Sequence, residues 1–245
     1  MKATILGVLL SLTPACLQAT TIGEIKLGGE AEVTITTIDW AQSYIPGPAY
    51  NGTGTAGVTG RSGIFSAIPF LSPLTIIDRD AVLHPAGVPL FVPGWLSGPS
   101  LGTLVFDLTY ILPGFYTSAD CFAAPADQQT CTPAAPPPFT SPYNLSNFND
   151  GNGLSSNGAF SVRGNVRDTA TNLNIGVFDG VFGAEFKDQS YQEVLATVLG
   201  GGSVLPSYSA TLTVSDEIPE PSTTAYCLLA TLFGFCLLRR RHSST

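Results

Sequence analysis

Histidine is scarce in this sequence, and its scarcity restricts the chemistry that the protein can perform. The chain has two histidines, His84 and His242. A Ser-His-Asp triad or a zinc site needs histidine close to other reactive or ligating side chains. His84 precedes a proline, a position typical of a turn, and no Gly-x-Ser-x-Gly motif accompanies it. The sequence therefore predicts that the protein is not an enzyme, and it provides no metal site of the zinc type.

Charged residues and helix-favouring patterns are also few. Only 11% of the residues are charged, whereas 26 are glycine and 19 are proline. This composition favours turns and extended chain over long helices. No repeat of fixed period and no glycine-rich motif between a strand and a helix is present, so solenoids and nucleotide-binding folds have no support. An all-β protein is expected.

Positive charge is missing from the central part of the chain. All 18 acidic residues lie between Glu24 and Glu220, where only six basic residues occur, for a net charge of −12. A body of this charge is repelled by nucleic acid and by anionic lipid. We therefore exclude DNA and RNA as partners.

The first 19 residues have the pattern of a secretory signal peptide. Lys2 precedes an apolar run over 5–12, and small residues follow up to Ala19, the expected last residue before cleavage. Such a segment implies export through the Sec translocation machinery. Cys16 offers an alternative, lipid attachment, although Thr13-Pro14-Ala15 differs from the leucine-led sequence that precedes a lipid-modified cysteine.

The last 29 residues, 217–245, combine a rigid motif, an apolar run and a basic cluster. Pro219-Glu220-Pro221 precedes an uncharged run over 222–238, and Arg239, Arg240 and Arg241 follow it. At about 1.5 Å per residue, the 17 residues of the run extend roughly 26 Å as a helix, slightly less than a bilayer core. We expect a transmembrane helix with the arginines on the cytoplasmic side and the body outside the inner membrane.

These three parts, in this order, resemble the PEP-CTERM sorting signal of exported proteins of Gram-negative bacteria, typically bacteria that make exopolysaccharide. The resemblance implies that an exosortase-type enzyme recognises and processes the tail. The body also resembles a group of PEP-CTERM proteins of undefined function in the stretches "SVRGNVRD", "GVFGAEF" and "YSATLTV". The implied location is a membrane-anchored precursor, followed by the cell surface or the extracellular space.

The body, 20–216, contains several stretches in which apolar and polar residues alternate. They are "EAEVTITTIDW", "GTLVFDLTYIL", "AFSVRGNVRD", "GVFGAEFKD" and "PSYSATLTVSD". Such alternation predicts strands with one buried and one solvated face, and we expect them to form an antiparallel β-sandwich. One short helix is predicted after Ser190, which forms a capping box with Glu193, and before Gly200.

Two cysteines of the body, Cys121 and Cys131, lie in a proline-rich segment, 121–142 with "PAAPPPF" at 133–139, that is expected to be an extended surface loop. In an oxidising compartment we expect the two cysteines to form a disulfide. Closure of this short loop corresponds to about 2.8 kcal/mol in the chain-entropy description. The disulfide would then restrain the loop.

Acidic and amide side chains provide candidate sites with less specific patterns. Asp78 and Asp80 are spaced to lie on one side of a strand, and Asp107 is expected on the solvated face of another, so all three are interpreted as surface carboxylates. A turn that contains Asn149, Asp150 and Asn152 carries oxygen ligands suitable for calcium. It lacks the spacing and final glutamate of an EF-hand loop.

Four aromatic residues, Trp40, Tyr44, Tyr50 and Trp95, offer a surface on which a sugar ring could stack, although such residues more often belong to a core.

The sequence therefore predicts a non-enzymatic exported protein of the cell surface or extracellular matrix. The alternative function is a β-sandwich module that binds polysaccharide or calcium.

Overall fold

The fold was analysed in a computed structural model, which describes residues 19–40, 52–135, 139–151 and 153–216. Its compact unit runs from Thr20 to Asp216. The predicted signal peptide, sorting motif, apolar run and arginine cluster lie outside the described residues, apart from Ala19 and Asp216 at their borders. Within the described part of the chain, no helix has the length and apolar character needed to span a membrane.

The body is built from strands and one α-helix, as the alternation predicts. The strands are β1 (Thr21–Val33), β2 (Thr37–Trp40), β3 (Thr53–Gly63), β4 (Pro73–Ile77), β5 (Arg79–Asp80), β6 (Pro89–Ser97), β7 (Leu104–Ile111), β8 (Thr130–Cys131), β9 (Asn144–Asn149), β10 (Leu154–Asp168), β11 (Leu173–Phe186) and β12 (Ser207–Ser215). The helix α1 is Tyr191–Leu199, and two short 3-10 turns cover Pro99–Leu101 and Ala119–Phe122. The all-β class and the single α-helix among the described residues are thus confirmed.

The sheet closes on itself, and this corrects the predicted sandwich. Eight strands pair antiparallel in the order β11-β12-β1-β3-β4-β6-β7-β10, and β10 pairs with β11 to complete the ring. The result is a barrel, in which the inward faces of one continuous sheet form the core. Alternation along each strand is the same in a sandwich and in a barrel, so the residue pattern alone did not distinguish the two.

Aromatic rings fill much of the interior of the closed sheet. Trp95 stacks on Phe178 with 6.0 Å between the ring centroids, and Phe106 meets Phe178 edge to face at 5.2 Å. Gly164 of β10 lies beside Phe178, and an added Cβ would collide with that ring and with the carbonyl oxygen of Asp107. The small residue therefore makes room for the large one, as close packing of a core requires.

The first predicted strand, over 30–40, is in fact a hairpin. β1 ends at Val33, and the Thr34 hydroxyl and backbone N–H hydrogen-bond Thr37 across a tight turn into β2. Ile35, which the alternation placed with the buried residues, lies in that turn and is 44% exposed. The threonine side chains satisfy backbone groups locally and so end the strand.

Helix α1 follows the prediction closely. The Ser190 side chain accepts a hydrogen bond from the Glu193 N–H at 3.3 Å, and a Glu193 carboxylate oxygen accepts from the Ser190 N–H at 2.7 Å. Val194, Leu195 and Val198 are buried against the body. A helix of nine residues is too short to be stable alone, so these contacts hold it in place.

The predicted disulfide between Cys121 and Cys131 is present, with 5.2 Å between the Cα atoms. Both cysteines pack with Leu145, Tyr191 and Leu195 in a small apolar cluster beside the main core. The disulfide therefore does more than close its own loop, because it also supports helix α1.

Candidate functional site

A cavity of about 230 Å³ lies at one end of the closed sheet. The ends of four strands meet there, since Glu30 of β1 pairs with Ser207 of β12 and Ser156 of β10 pairs with Phe186 of β11. The hairpin strand β2, the proline-rich segment before β9 and helix α1 cover this end. Mouths of such closed sheets are common ligand sites.

The walls of the cavity are largely apolar. Inward-facing residues of the sheet provide its floor, and helix and loop residues provide its cover. Lining residues include Ala31, Trp40, Phe160, Phe182, Ala184 and Val198. Two further lining residues, Ile35 and Val82, are 44% and 64% exposed, so the cavity reaches the surface between the two turns that carry them.

Arg79 is the charged residue among the described residues that line this cavity, and it is only 6% exposed. Its Nη1 donates a hydrogen bond to the Tyr143 hydroxyl at 3.1 Å, and the guanidinium carbon lies 5.5 Å from the Tyr143 ring centroid. Its Nε is buried without a hydrogen-bond partner, and Arg79 forms no ion pair within the described part of the chain. A buried cation that forms no ion pair is energetically costly.

Tyr143 completes the polar part of the wall. Burial raises the pKa of its hydroxyl, although the neighbouring Arg79 opposes this rise. Its oxygen accepts the bond from Arg79, so its own O–H remains available as a donor. Two donors thus lie together in the wall of a largely apolar space.

Two carboxylates, Asp39 and Asp78, are buried in the layer that covers this end of the sheet; Asp78 precedes Arg79 in sequence, and Asp39 lies on the paired strand. β2 pairs with β5 through Ile38 and Arg79, and the same register places Asp39 opposite Asp78. Burial and the nearby charge of Asp39 raise the pKa of Asp78 to about 6, although the N–H of Trp40, which donates to Asp78 at 3.0 Å, opposes the change. Burial, and then Glu32, raise the pKa of Asp39.

Of the three carboxylates predicted to lie at the surface, Asp78 and Asp107 are buried, and all three accept hydrogen bonds from the protein. Asp78 is 1% exposed, and Asp80 accepts hydrogen bonds from the Val82 and Leu83 N–H groups in the following turn. Asp107 is 2% exposed and forms a two-point ion pair with Arg167, at 2.6 and 3.0 Å. The prediction that Asp78 and Asp107 lie on solvated faces is therefore wrong, because neighbouring segments cover the outer side of these strands.

His84 belongs to the turn after β5. Its Nδ1 accepts a hydrogen bond from the Asp80 backbone N–H at 3.3 Å, and the His84 backbone N–H donates to the Asp80 carbonyl oxygen at 2.7 Å. Burial and the neighbouring Arg79 lower the pKa of its imidazole, and Asp80 acts in the opposite direction. The geometry is that of a turn residue.

The proposed calcium ligands form a turn between β9 and β10. The Asn149 side-chain oxygen accepts from the Gly151 N–H at 2.9 Å, and Asp150 accepts from the Gly153 N–H and from the Ser155 hydroxyl, both at 3.1 Å. Asn152 lies outside the described residues. Across the described ranges, no group of three or more histidine, cysteine, aspartate or glutamate side chains is arranged to hold a metal ion.

Both tryptophans belong to the interior, and neither lies on a surface platform for sugar rings. Trp40 is 2% exposed and packs on Tyr208 with 4.7 Å between ring centroids, and Trp95 is 4% exposed. Tyr44 and Tyr50 lie outside the described residues. The role of Trp40 is therefore to form a wall of the cavity and part of the core.

Reasoning from sequence missed Arg79 as a site residue. It stands between two aspartates and was interpreted as part of a solvated carboxylate strand. Its burial depends on Tyr143, which is 64 residues further along the chain. No local pattern carries that information.

Comparisons with known proteins identify no relative. No protein-family model, no curated protein and no solved structure matches the chain.

Proposed function

We propose that the protein is a non-enzymatic exported protein that acts at the cell surface or in the extracellular matrix. It is delivered by the Sec machinery, anchored through its C-terminal apolar run, and processed there by an exosortase-type enzyme. The observation that carries the proposal is the Cys121–Cys131 disulfide, because such bonds persist in oxidising compartments outside the cytoplasm. The order of motif, apolar run and arginines in 217–245 supports the same route.

The composition of the body suits this role. Its net negative charge keeps molecules apart and soluble, and its exposed surface carries few reactive groups. Exopolysaccharide of the matrix is the proposed neighbour at the destination, in line with the bacteria in which similar tails occur. The body is then a stable module, and the tail directs its sorting and processing.

The experiment replaces Pro219, Glu220 and Pro221 together by alanine in the producing bacterium. The wild-type protein should lose both its first 19 residues and its tail, as measured by intact mass, and should appear at the surface or in the medium. The variant should keep the tail and stay in the inner-membrane fraction, because alanines give the processing enzyme neither the rigid prolines nor the glutamate.

A matched control replaces the neighbouring Ser222, Thr223 and Thr224 by alanine. It changes the same number of residues next to the motif and should be processed like wild type. An uncleaved, membrane-anchored product in the wild type as well would show that the tail is only an anchor and would contradict the sorting proposal.

A further inference from the structure

We propose that the cavity binds a small monoanionic amphiphile, a carboxylate with a short alkyl chain, whose charged end contacts Arg79 and Tyr143. This inference goes beyond the proposed export and surface function and does not depend on it. It rests on a buried cation that forms no ion pair among the described residues, on a second donor beside it, and on the largely apolar space that both line.

The negative charge of the ligand follows from the buried guanidinium of Arg79. Its side chain is more than nine-tenths buried, and its hydrogen bond within the described residues is to one neutral oxygen, that of Tyr143. Asp78 and Asp80 form no ion pair with Arg79, and their carboxylates accept hydrogen bonds elsewhere, Asp80 from its own turn and Asp78 from the Trp40 N–H. A ligand carboxylate would supply the missing negative charge and accept the planar guanidinium hydrogen bonds that neutral groups leave unused.

The length of the ligand's alkyl chain follows from the apolar walls and the volume of the cavity. An engineered cavity of about 150 Å³ holds benzene, which has six non-hydrogen atoms. By proportion, a cavity of about 230 Å³ holds roughly nine. That is the size of a carboxylate with a chain of six or seven carbons, and the residues opposite Arg79, such as Phe182 and Ala184, offer an apolar surface to it.

The test measures binding to the full-length chain in a nonionic detergent, with tryptophan fluorescence as the signal. A Trp95→Phe background leaves Trp40, a wall residue, as the only tryptophan. The probes are 6-bromohexanoate and 6-bromohexan-1-ol, whose bromine quenches a ring that it contacts. They have the same chain and differ in the charged end, and each affinity is calculated from the free probe concentration after its partitioning into detergent micelles has been measured without protein.

The expected result is that the carboxylate binds about tenfold more tightly than the alcohol, since hydrogen bonds to a charged group are among the strong ones. Arg79→Gln should remove this difference by weakening the carboxylate about tenfold while the alcohol binds as before. Ala184→Phe, which fills the apolar part and keeps Arg79, should abolish both.

Arg163→Gln is the matched control for charge. Arg163 is exposed and pairs with Asp179 on the outer surface at 2.7 Å, so its loss changes the net charge equally without touching the cavity. Both probes should bind this variant as they bind the parent.

Equal affinity of the two probes in the parent would overturn the proposal, because the cavity would then be a purely apolar site. Absence of binding by either probe would also overturn it and would indicate that the chain itself fills the space. If Arg79→Gln fails to fold by circular dichroism, the comparison of acid and alcohol in the parent still decides.

Discussion

At the scale of single residues, burial sets the properties of the charged groups in the covering layer. Asp78 and Arg79 are neighbours in sequence, yet strand alternation directs them to opposite sides, and both are nearly inaccessible. Arg167 and Asp107 meet as a compact pair. Among the described residues Arg79 has no such partner, so no ion pair offsets the free-energy cost of its burial.

The raised pKa of Asp78 predicts an unusual pH dependence of stability. The native state holds the proton up to about pH 6, whereas the unfolded state releases it near 3.8. Between these values the native state binds more protons, so the free energy of unfolding falls as pH rises and is restored on acidification. Relative to Asp78→Asn, wild type should become more stable by about 1.3 kcal/mol between pH 7 and pH 5.

Urea unfolding of both proteins at the two pH values measures this difference. His84 contributes with the opposite sign in both proteins and cancels in the comparison, whereas Asp39, whose charge acts on Asp78, contributes with the same sign and titrates together with it. A difference that is independent of pH would show that Asp78 titrates normally in the folded protein.

At the scale of elements, the capping box determines whether helix α1 stays docked. Ser190 is 2% exposed, and its hydroxyl accepts the Glu193 N–H and donates to the Glu193 carboxylate at 2.9 Å, so Ser190→Ala removes both side-chain bonds of the cap and leaves the Glu193 N–H only the Ser190 carbonyl oxygen. The expected loss is about 1 kcal/mol, and up to about 2 kcal/mol, in the free energy of unfolding.

Thr197→Ala is the matched control in the same helix. The Thr197 hydroxyl donates to the Glu193 carbonyl oxygen on the exposed side, so its removal should change stability by less than about 0.5 kcal/mol. Equal losses in the two variants would mean that the helix is held by packing alone and that the cap is dispensable.

Sequence patterns predicted the elements better than their arrangement. Alternation correctly located β7, β10, β11 and β12, and the Ser190–Glu193 spacing located α1. The break between β1 and β2 was missed, because Thr34 and Thr36 fit the alternation although Thr34 also forms a turn with Thr37. The cavity was not predictable, since Arg79 and Tyr143 come together only once the sheet is closed and covered.

At the scale of the whole molecule, closure of the sheet depends on its last strand. β12 lies between β1 and β11, and without it both neighbours would be edge strands. A chain that ends at Asp216 should therefore unfold cooperatively, whereas a chain that ends at Pro206 should lack a closed core and fixed tertiary structure.

Near-ultraviolet circular dichroism and thermal unfolding of the two truncated chains measure this. The buried rings, among them Trp95 and Phe178, give a fixed signal only when the interior is packed. A cooperative transition in the chain that ends at Pro206 would show that seven strands suffice.

The two ends of the body are themselves a pair. Thr21 lies opposite Ser215, and the Asp216 N–H donates to the Thr20 carbonyl oxygen at 2.9 Å. Tension applied through both ends would act along these cross-strand hydrogen bonds, which run perpendicular to the strands. These bonds would break one after another from this end. The force needed to unfold the body in this way would therefore be low, whatever its stability to heat and denaturant.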